Sequence, residues 1–272
     1  MKEGGEMYQD ERLLLILDFL KKNKRITVEQ ICSLYNVSRD TARRDLVKLE
    51  EQKLIIRTRG GAILPPVHNE IKGYYHRLQT VPHEKKIIGK KAASLINSGD
   101  RIILDASTTV QACAEYLGDQ RCTVITNSIN QADILSSKQG IRIHLLGGEL
   151  EKEHRFLYGE SVIERLSNYY VDKAFLGVVG ISENGLTVAH EEDGVVKRKI
   201  LQQAKQVIIL ADHSKLGITD FYRFADLSDI DLLITDKTPP KPFRELLKKH
   251  SVDLLVADDD GEEDEFENVN CD

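Results

Sequence analysis

The chain of 272 residues is 41% hydrophobic and 30% charged, which is ordinary for a soluble protein and enough for one small and one medium domain. No apolar run approaches the ~20 residues that cross a bilayer, and the N-terminal sequence MKEGGEMYQD has no apolar signal core. We therefore expect a cytoplasmic protein with no membrane partner. The four cysteines form no CxxC pair and no metal-ligand spacing with the eight histidines, so we predict free thiols, no metal and no cofactor.

The net charge of −6 is unevenly distributed along the chain. Residues 1–66 carry 13 basic and 10 acidic side chains, and residues 67–257 carry 25 of each. Residues 258–272 carry nine acidic side chains and no basic one, which predicts a disordered acidic tail. The N-terminal region is mildly basic, which favours modest nonspecific affinity for DNA and the use of two copies per site.

Residues 8–66 have the pattern of a helix-turn-helix domain. A polar interruption between two helical stretches ends at Ser38, whose hydroxyl can cap the helix that follows. Ala42, Leu46 and Leu49 share one face of that helix, and the opposite face is basic. A short helix with a packed back and a basic front is what the major groove of DNA accepts.

A glycine-tipped hairpin is predicted to follow this helix. Residues 55–63 alternate around Gly60 and Gly61, which indicates a two-stranded wing with Arg57 and Arg59 beside its tip. Helix pairs with surface arginines also occur as protein-docking modules, but such modules do not need a wing. The residues predicted to contact DNA are Ser38, Arg39, Thr41, Arg43, Arg44, Lys48, Arg57 and Arg59.

Residues 67–82 form a predicted polar linker, and an α/β domain is predicted over residues 83–257. Apolar strands alternate there with helices, which argues for a mostly parallel sheet. The predicted strands are 101–104, 123–125, 141–145, 173–178, 207–210 and 232–234. The predicted helices are 85–97, 109–117, 129–136, 159–168 and 193–204.

Polar residues follow several of these strands, at the sheet edge where open α/β folds bind ligands. Hydroxyls and free amides at a helix start, paired glycines and a lysine can together hold a phosphate. Taken singly, Ser-Thr runs after strands are often only helix caps, and paired glycines mark many ordinary turns. The Asp172-Lys173 pair could be a surface pair or a ligand contact. The strand-end candidates are Asp105, Ser107, Thr108, Thr109, Asn127, Gly148 and Lys215.

The segment TARRDLVKLEEQKLIIRTRGGAIL resembles the winged helix of the DeoR/GlpR family of bacterial transcription regulators, over about 50 residues from Glu11 to Leu64. The segments LDASTT, TVITNS, HLLGGEL, VDKAFLGVVGI, ILADHSKLG and DLLITD resemble, in order, the sensor domain of that family over residues 83–236. The chain departs from the family at Ala42, where a larger aliphatic residue is usual, and at Ala106, where glycine is frequent.

The resemblance implies a sensor domain with the fold of ribose-5-phosphate isomerase that binds a phosphorylated sugar. Asp105, Ser107, Thr108 and Thr109 are expected to hold its polar or phosphate groups, with Lys215 on the phosphate. Four further residues are expected to line the site, and they are Asn127, Gly148, Asp172 and Lys173. The expected function is repression of a carbohydrate catabolic operon by a homo-oligomer, a dimer or tetramer, that a phosphorylated sugar releases from double-stranded operator DNA.

The rival interpretation is a sugar-phosphate isomerase fused to a DNA-binding domain. Isomerisation needs a positioned carboxylate base, for which Asp105 and Asp172 are candidates. The chain lacks the Asp-Gly-Ala-Asp cluster of the related isomerases, so we expect a protein that is not an enzyme. A third alternative is an activator, or a regulator in which Ala106 has disabled ligand binding.

Overall fold

The computed structural model describes residues 9–23, 25–52, 54–63 and 73–257. The chain divides into two compact units, Met1–Glu70 and Ile71–Asp272, which are described separately. The predicted acidic tail at 258–272 and the first part of the predicted linker lie outside the described residues. None of the described helices is long and apolar enough to span a bilayer.

The first unit is a winged helix-turn-helix, as predicted. Thr27 and Gln30 form a capping box at the start of the second helix, which ends at Asn36 in the left-handed conformation. The Ser38 hydroxyl accepts a hydrogen bond from the Thr41 amide at 3.1 Å and so begins the recognition helix, α3. The elements are α1 (Gln9–Asn23), β1 (Arg25–Thr27), α2 (Val28–Tyr35), α3 (Arg39–Glu51), β2 (Ile56–Thr58) and β3 (Gly61–Ile63).

The wing has three strands in the order β1-β3-β2, one more than the sequence predicts. Gly60 turns the chain with a φ of 96°, a value that residues with a side chain rarely adopt. Gly61 lies in β3, close to the neighbouring strand. A side chain at this position would collide with the carbonyl oxygen of Ile26. Glycine is therefore needed at residue 60 for the backbone angle of the turn, and at residue 61 for the close approach of the two strands.

The core of this unit joins the three helices through apolar side chains, and Ala42 is entirely buried within it. A buried ion pair fixes α3 on α1. The Asp45 carboxylate is fully buried and accepts from the Arg12 guanidinium at 3.1 Å and from the Gln9 amide at 3.0 Å. This pair was not predicted, because it joins residues that are distant in sequence.

The second unit is built on a seven-stranded sheet in the order β15-β14-β12-β9-β4-β5-β6. Every neighbouring pair in it is parallel. The chain moves outward from β4 to β6 and then returns to place β9 on the other side of β4. The order thus reverses between β4 and β9, and such switch points bind ligands at the carboxyl ends of the strands. The strands are β4 (Arg101–Leu104), β5 (Cys122–Thr126), β6 (Ile141–Leu145), β9 (Val171–Gly177), β12 (Ala204–Leu210), β14 (Leu232–Thr235) and β15 (Asp253–Val256).

Helices cover both faces of this sheet, as an all-parallel sheet requires. Ile103 and Ile209 point into one apolar core, while Ile102 and Ile208 point into the other. The helices are α4 (Tyr74–Gln79), α5 (Pro82–Ala93), α6 (Thr108–Tyr116), α7 (Ile129–Ser136), α8 (Glu160–Leu166), α9 (Glu191–Leu201) and α10 (Lys241–Lys249). The predicted fold class, a winged helix followed by a mostly parallel α/β domain, is confirmed.

Several elements of the second unit differ from the sequence expectation. Residues 74–79 of the predicted linker form α4, and Tyr74 on it is buried. The helix predicted over 85–97 spans Pro82–Ala93 instead. A hairpin, a small antiparallel sheet and the last helix and strand were not predicted. The additional strands are β7 (Glu149–Glu151), β8 (Phe156–Tyr158), β10 (Gly180–Ser182), β11 (Gly185–Val188) and β13 (Tyr222–Ala225).

We predict that Asp45→Ala lowers the free energy of unfolding of the winged helix by about 3 kcal/mol, because it removes the buried carboxylate to which Arg12 and Gln9 both donate. Glu51→Ala, at an exposed position of the same helix, should change it by less than about 0.5 kcal/mol. Hydrogen exchange of the α1 and α3 amides measures both variants. Equal protection in the two variants would show that the ion pair does not hold α3.

Candidate functional site

The exposed face of α3 carries the side chains predicted to contact DNA. Arg39, Arg43 and Arg44 are exposed with Ser38, while Thr41 and Lys48 are half-buried. Arg39 lies 3.3 Å from Glu29, and both side chains remain about two-thirds exposed, at 67% and 63%. Such exposed pairs contribute little, so these arginines can exchange their partners for phosphates at small cost.

The wing extends this basic surface. Arg57 and Arg59 are exposed on and beside β2, and Arg57 lies 3.9 Å from Glu50 on α3. Within the described part of the chain, Arg44 and Arg59 have no ion pair with an acidic side chain. The structure therefore places all eight predicted residues on the recognition helix, its cap or the wing. DNA contact by these residues remains a prediction.

The second unit has a pocket at the switch point of its sheet, where β4 and β9 end. The cavity itself is small, about 40 Å³, and it is continuous with open solvent. The lining residues come from four places: the ends of β4 and β9, the β7–β8 hairpin, the start of α9, and α4. Those that carry polar side chains are Arg77, Ser107, His154, His190, Asp193 and Lys197.

Asp105, the residue after β4, is 1% exposed and contacts three residues of the pocket wall, Ser107, Gly177 and Lys197. One carboxylate oxygen accepts from the Ser107 amide at 2.8 Å, and the other accepts from the Gly177 amide at 2.9 Å and from the Lys197 ammonium. Gly177 has no room for a side chain, because a Cβ there would collide with Ser107. This hydrogen-bonded carboxylate ties together the ends of β4 and β9 and the helix α9.

Lys197 is 3% exposed and lies between two carboxylates. It forms an ion pair with Asp105 and lies 3.7 Å from Asp193, one turn earlier on α9. Burial lowers the pKa of Lys197, but Asp105 and Asp193 together hold it above its ordinary value, so the ammonium stays charged. Burial raises the pKa of Asp193.

Two histidines face each other across the pocket. The Nε2 atoms of His154, in the β7–β8 hairpin, and His190, at the start of α9, are 3.0 Å apart. Nδ1 of His154 is buried without a hydrogen-bond partner in the described structure. Burial, and then the positive charges of Arg77 and His190, lower the pKa of His154 below its ordinary value of 6.5. The lowered pKa favours the neutral form of His154.

The predicted strand-end residues divide into those near the pocket and those that support it. Ser107 caps α6 by accepting from the Val110 amide, and Thr108 and Thr109 are buried in the first turn of that helix. Asn127 is 1% exposed and donates to the Leu157 carbonyl at 3.1 Å, which positions β8.

Gly148 and Lys215 lie outside the residues that line the pocket. Gly148 packs tightly on Tyr158 and Val162. Lys215 lies in the short turn after β12, at the same edge of the sheet, and is half-buried. Its charge is close enough to that of Lys85 to lower the pKa of Lys85.

Asp172 and Lys173 require a correction. Both lie at the beginning of β9, so they are at the amino edge of the parallel sheet, opposite the pocket. The Asp172 carboxylate accepts from Arg101 and Lys205, which hold its pKa well below its ordinary range. Lys173 forms an ion pair with Asp100 at 2.6 Å. Their partners lie at or next to the starts of neighbouring strands. Neither residue therefore belongs to the candidate site.

Ala106 does not distort the loop after β4. It is not among the described non-glycine residues with positive φ, and it is 5% exposed with its side chain on the pocket wall. The backbone conformation at this position therefore does not require glycine.

The sequence did not single out the charged residues that α4 and α9 bring to the pocket. Asp193 was interpreted only as a possible cap of α9, and Arg77 lay in a predicted linker. The only sequence signal was the spacing of Asp193 and Lys197, which puts an acid and a base on one face of a helix. The missed residues are Arg77, His154, His190, Asp193 and Lys197.

One cluster of described residues brings three potential metal ligands within 4.8 Å of one another, namely Glu84, His213 and Asp236. His213 and Asp236 are joined by a 2.6 Å hydrogen bond, and the Lys237 ammonium lies 3.5 Å from Nε2 of His213. Nδ1 of His213 and the Asp236 carboxylate are thus already used in a hydrogen bond with each other. Of the predicted free thiols, Cys32, Cys113 and Cys122 are unpaired, and Cys271 lies outside the described residues.

A basic winged helix joined to an α/β domain with a polar pocket at its switch point defines a DNA-binding regulator with a sensor domain. The model of the DeoR-like helix-turn-helix domain matches residues 12–66, and the model of the DeoR C-terminal sensor domain matches residues 80–237. The chain belongs to the DeoR family of transcriptional regulators, as the sequence resemblance predicted.

The relatives agree with this assignment. The HTH-type transcriptional repressor GlcR of Bacillus subtilis (strain 168) is 70% identical over 93% of this chain and 98% of its own length. The glycerol-3-phosphate regulon repressor of Escherichia coli (strain K12) is 32% identical over 92% of this chain and all (100%) of its own. A ribose 5-phosphate isomerase A from Methanocaldococcus jannaschii has 20% identity and a TM-score of 0.37, covering 48% of this chain and 53% of its own.

The lowered pKa of His154 predicts a pH dependence of stability. Below its ordinary pKa of 6.5 the unfolded chain binds a proton that the folded protein resists, so stability falls as the pH decreases through this window. His154→Gln should therefore lose less of its free energy of unfolding between about pH 7 and about pH 5 than the wild type does. His76→Gln, at an exposed position of α4, should keep the wild-type dependence, and urea unfolding at each pH measures all three. An identical pH dependence in His154→Gln contradicts the assignment.

Proposed function

We propose that the protein is the repressor of a carbohydrate catabolic operon and that a phosphorylated sugar, bound in the switch-point pocket, releases it from DNA. The observation that carries the proposal is the set of charged groups converging on that pocket. Lys197 and Arg77 supply positive charge, and Asp193 supplies an acceptor for hydroxyl groups. The names of the relatives as repressors support the regulatory direction.

The DNA interface follows from the geometry of α3 and the wing. The N-terminal half of α3 would enter the major groove, where Arg44 and Thr41 face base edges. The wing arginines Arg57 and Arg59 would contact phosphates or the minor groove beside it. Because one such domain offers only a few phosphate contacts, we infer a homo-oligomer, a dimer or tetramer, that places two copies on one operator.

The effector pocket offers a mixed set of groups that suits a phosphorylated polyol. The start of α6, after Asp105 and with Ser107, Thr108 and Thr109, presents the positive end of a helix to an anion. Lys215 adds a cation at the same edge of the sheet. The carboxylate of Asp193, which lines the pocket, is suited to accept hydrogen bonds from sugar hydroxyls. Asn127 and Gly148 would act indirectly, by positioning the hairpin that closes one side.

We infer that the pocket senses its ligand without transforming it. A catalytic base must be free to accept a proton from the substrate. Both oxygens of Asp105 already accept hydrogen bonds, from two backbone amides and from Lys197. Asp172, the other candidate base, lies at the opposite edge of the sheet. Turnover of ribose 5-phosphate by the purified protein would contradict this inference.

We expect Arg44→Ala to weaken binding to an operator selected by the protein from random-sequence DNA, by about 1–3 kcal/mol, if Arg44 reads a base. If Arg44 instead contacts a phosphate, the loss should be similar for all sequences and the salt dependence should decrease by about one counterion. Fluorescence anisotropy at several salt concentrations distinguishes the two. Arg142→Ala, exposed on β6, is the control and should bind as the wild type does. Unchanged binding by Arg44→Ala would remove α3 from the interface.

We expect one phosphorylated sugar to stabilise the protein, by about 2.7 kcal/mol at 100 times its dissociation constant, while its unphosphorylated parent does not. A thermal-shift screen of phosphorylated sugars beside their parents measures this. Lys215→Ala should lose the response because the phosphate loses a charge. Lys205→Ala, 71% exposed at the amino edge of the sheet, should retain it. Equal responses to a sugar and its phosphate would contradict the proposed anion site.

A further inference from the structure

Arg77 is a cation in the pocket wall for which the described structure provides no direct counter-charge. Its guanidinium lies 5.7 Å from the centre of the Tyr74 ring, and its Nε is buried without a hydrogen-bond partner. No carboxylate of the described residues forms an ion pair with it. Burial lowers the pKa of Arg77, so the structure disfavours its charge. Arg77 is half-buried as a residue, and its buried Nε without a hydrogen-bond partner costs free energy that a bound anion would recover.

The acids nearest to Arg77 are occupied by other groups. Asp193, Asp105 and Glu151 attract it at longer range. Asp105 and Asp193 already form ion pairs with Lys197, and Glu151 accepts a hydrogen bond from the backbone amide of His154. The protein therefore leaves one anion position open beside Arg77, at the pocket.

We propose that the anionic group of the effector pairs with Arg77. This pair holds α4 on the rest of the sensor domain. Occupancy of the pocket is thereby transmitted through Arg77 to the segment that precedes α4, which is the reporting role of Arg77. The proposal rests on the proposed function, because it takes the same pocket as the effector site. It adds Arg77 as a residue that binds the effector, and α4 as the element that responds to binding. Neither is among the strand-end candidates.

The position of α4 makes such a report possible. It is the first described element after the winged helix in the chain, and three contacts hold it. The Tyr74 hydroxyl donates to Gln111 on α6, and the Tyr74 amide donates to the Glu153 carbonyl in the β7–β8 hairpin at 2.9 Å. The Lys85 ammonium donates to the carbonyl of Arg77 and, at 2.8 Å, to that of Thr80.

The third contact depends on charge. Lys85 is 5% exposed, and its pKa is lowered to about 8 by burial and by the charges of Lys215 and Arg77, against the attraction of Asp212. An anion beside Arg77 would offset that repulsion and favour the charged form of Lys85. Charged Lys85 is the better donor to the two carbonyls at the end of α4. Binding the anion thus strengthens the hold on α4 at its own C-terminal end.

Inorganic phosphate, at constant ionic strength set with chloride, is the probe for this proposal. In the wild-type protein we expect phosphate to raise the melting temperature and to slow hydrogen exchange of the amides at 77–80. In Arg77→Gln, which keeps a planar polar group but removes the charge, the dissociation constant for phosphate should increase about 30-fold or more. Its exchange at 77–80 should no longer respond. The melting temperature of Arg77→Gln without phosphate should equal or exceed that of the wild type, since no ion pair is lost.

Arg155→Gln is the matched control. Arg155 stacks on Tyr75 of the same helix, with its guanidinium 5.3 Å from the ring centre, but it does not line the pocket. This variant should keep the phosphate response. Arg77→Lys, which keeps the charge without the planar fork, should bind phosphate with intermediate strength and serves if Arg77→Gln does not fold.

The outcomes separate the two proposals. A wild-type response that Arg77→Gln retains would overturn the assignment of Arg77 and leave the sensor function intact. If phosphate binds the wild type without changing exchange at 77–80, and Arg77→Gln loses that binding, Arg77 remains a ligand and its reporting role is overturned. No response of the wild type to phosphate would overturn both, because the pocket is then not an anion site.

Discussion

The buried ion pair between Asp105 and Lys197 is the constraint on which the sensor domain depends. The two side chains are 1% and 4% exposed, and they join the loop after β4 to α9 across 92 residues of sequence. Two buried charges are tolerated only when each has partners, and here backbone amides and Asp193 complete the set. These contacts join the ends of β4 and β9 to α9 at the switch point, beside the pocket.

The winged helix follows the same logic on a smaller scale. Asp45, on the buried side of the recognition helix, is paired with Arg12 on α1. The exposed side of that helix is thereby presented at a fixed angle, with its arginines held only by weak surface pairs. In both units a buried ion pair between an acid and a base fixes a helix. Other cations, exposed or facing the pocket, are left available for an anionic ligand. We propose that this ligand is DNA phosphate in the winged helix and a phosphorylated sugar in the sensor domain.

Features that depend only on residues close together in the chain could be predicted from the sequence. The cap at Ser38, the wing glycines and the order of strands and helices follow from residue spacing, and the structure has them. The polar loop after β4 was also found, because a strand end is visible in the sequence. Asp172 and Lys173 were assigned to the site from the family resemblance, although both the predicted and the observed strand place them at its start, the amino edge of the sheet. Arg77 and Lys197 come to the pocket from helices far away in sequence, and no local pattern carries that information.

The central claim is that occupancy of the switch-point pocket controls DNA binding. The most direct measurement is fluorescence anisotropy of the full-length protein on an operator selected from random-sequence DNA, with each phosphorylated sugar and its parent added at constant ionic strength. The account predicts that one phosphorylated sugar weakens DNA binding by roughly 5- to 150-fold, the usual range of coupling between two sites, while its parent has no effect. DNA affinity that no phosphorylated sugar changes, or that the parent sugar changes equally, would contradict it.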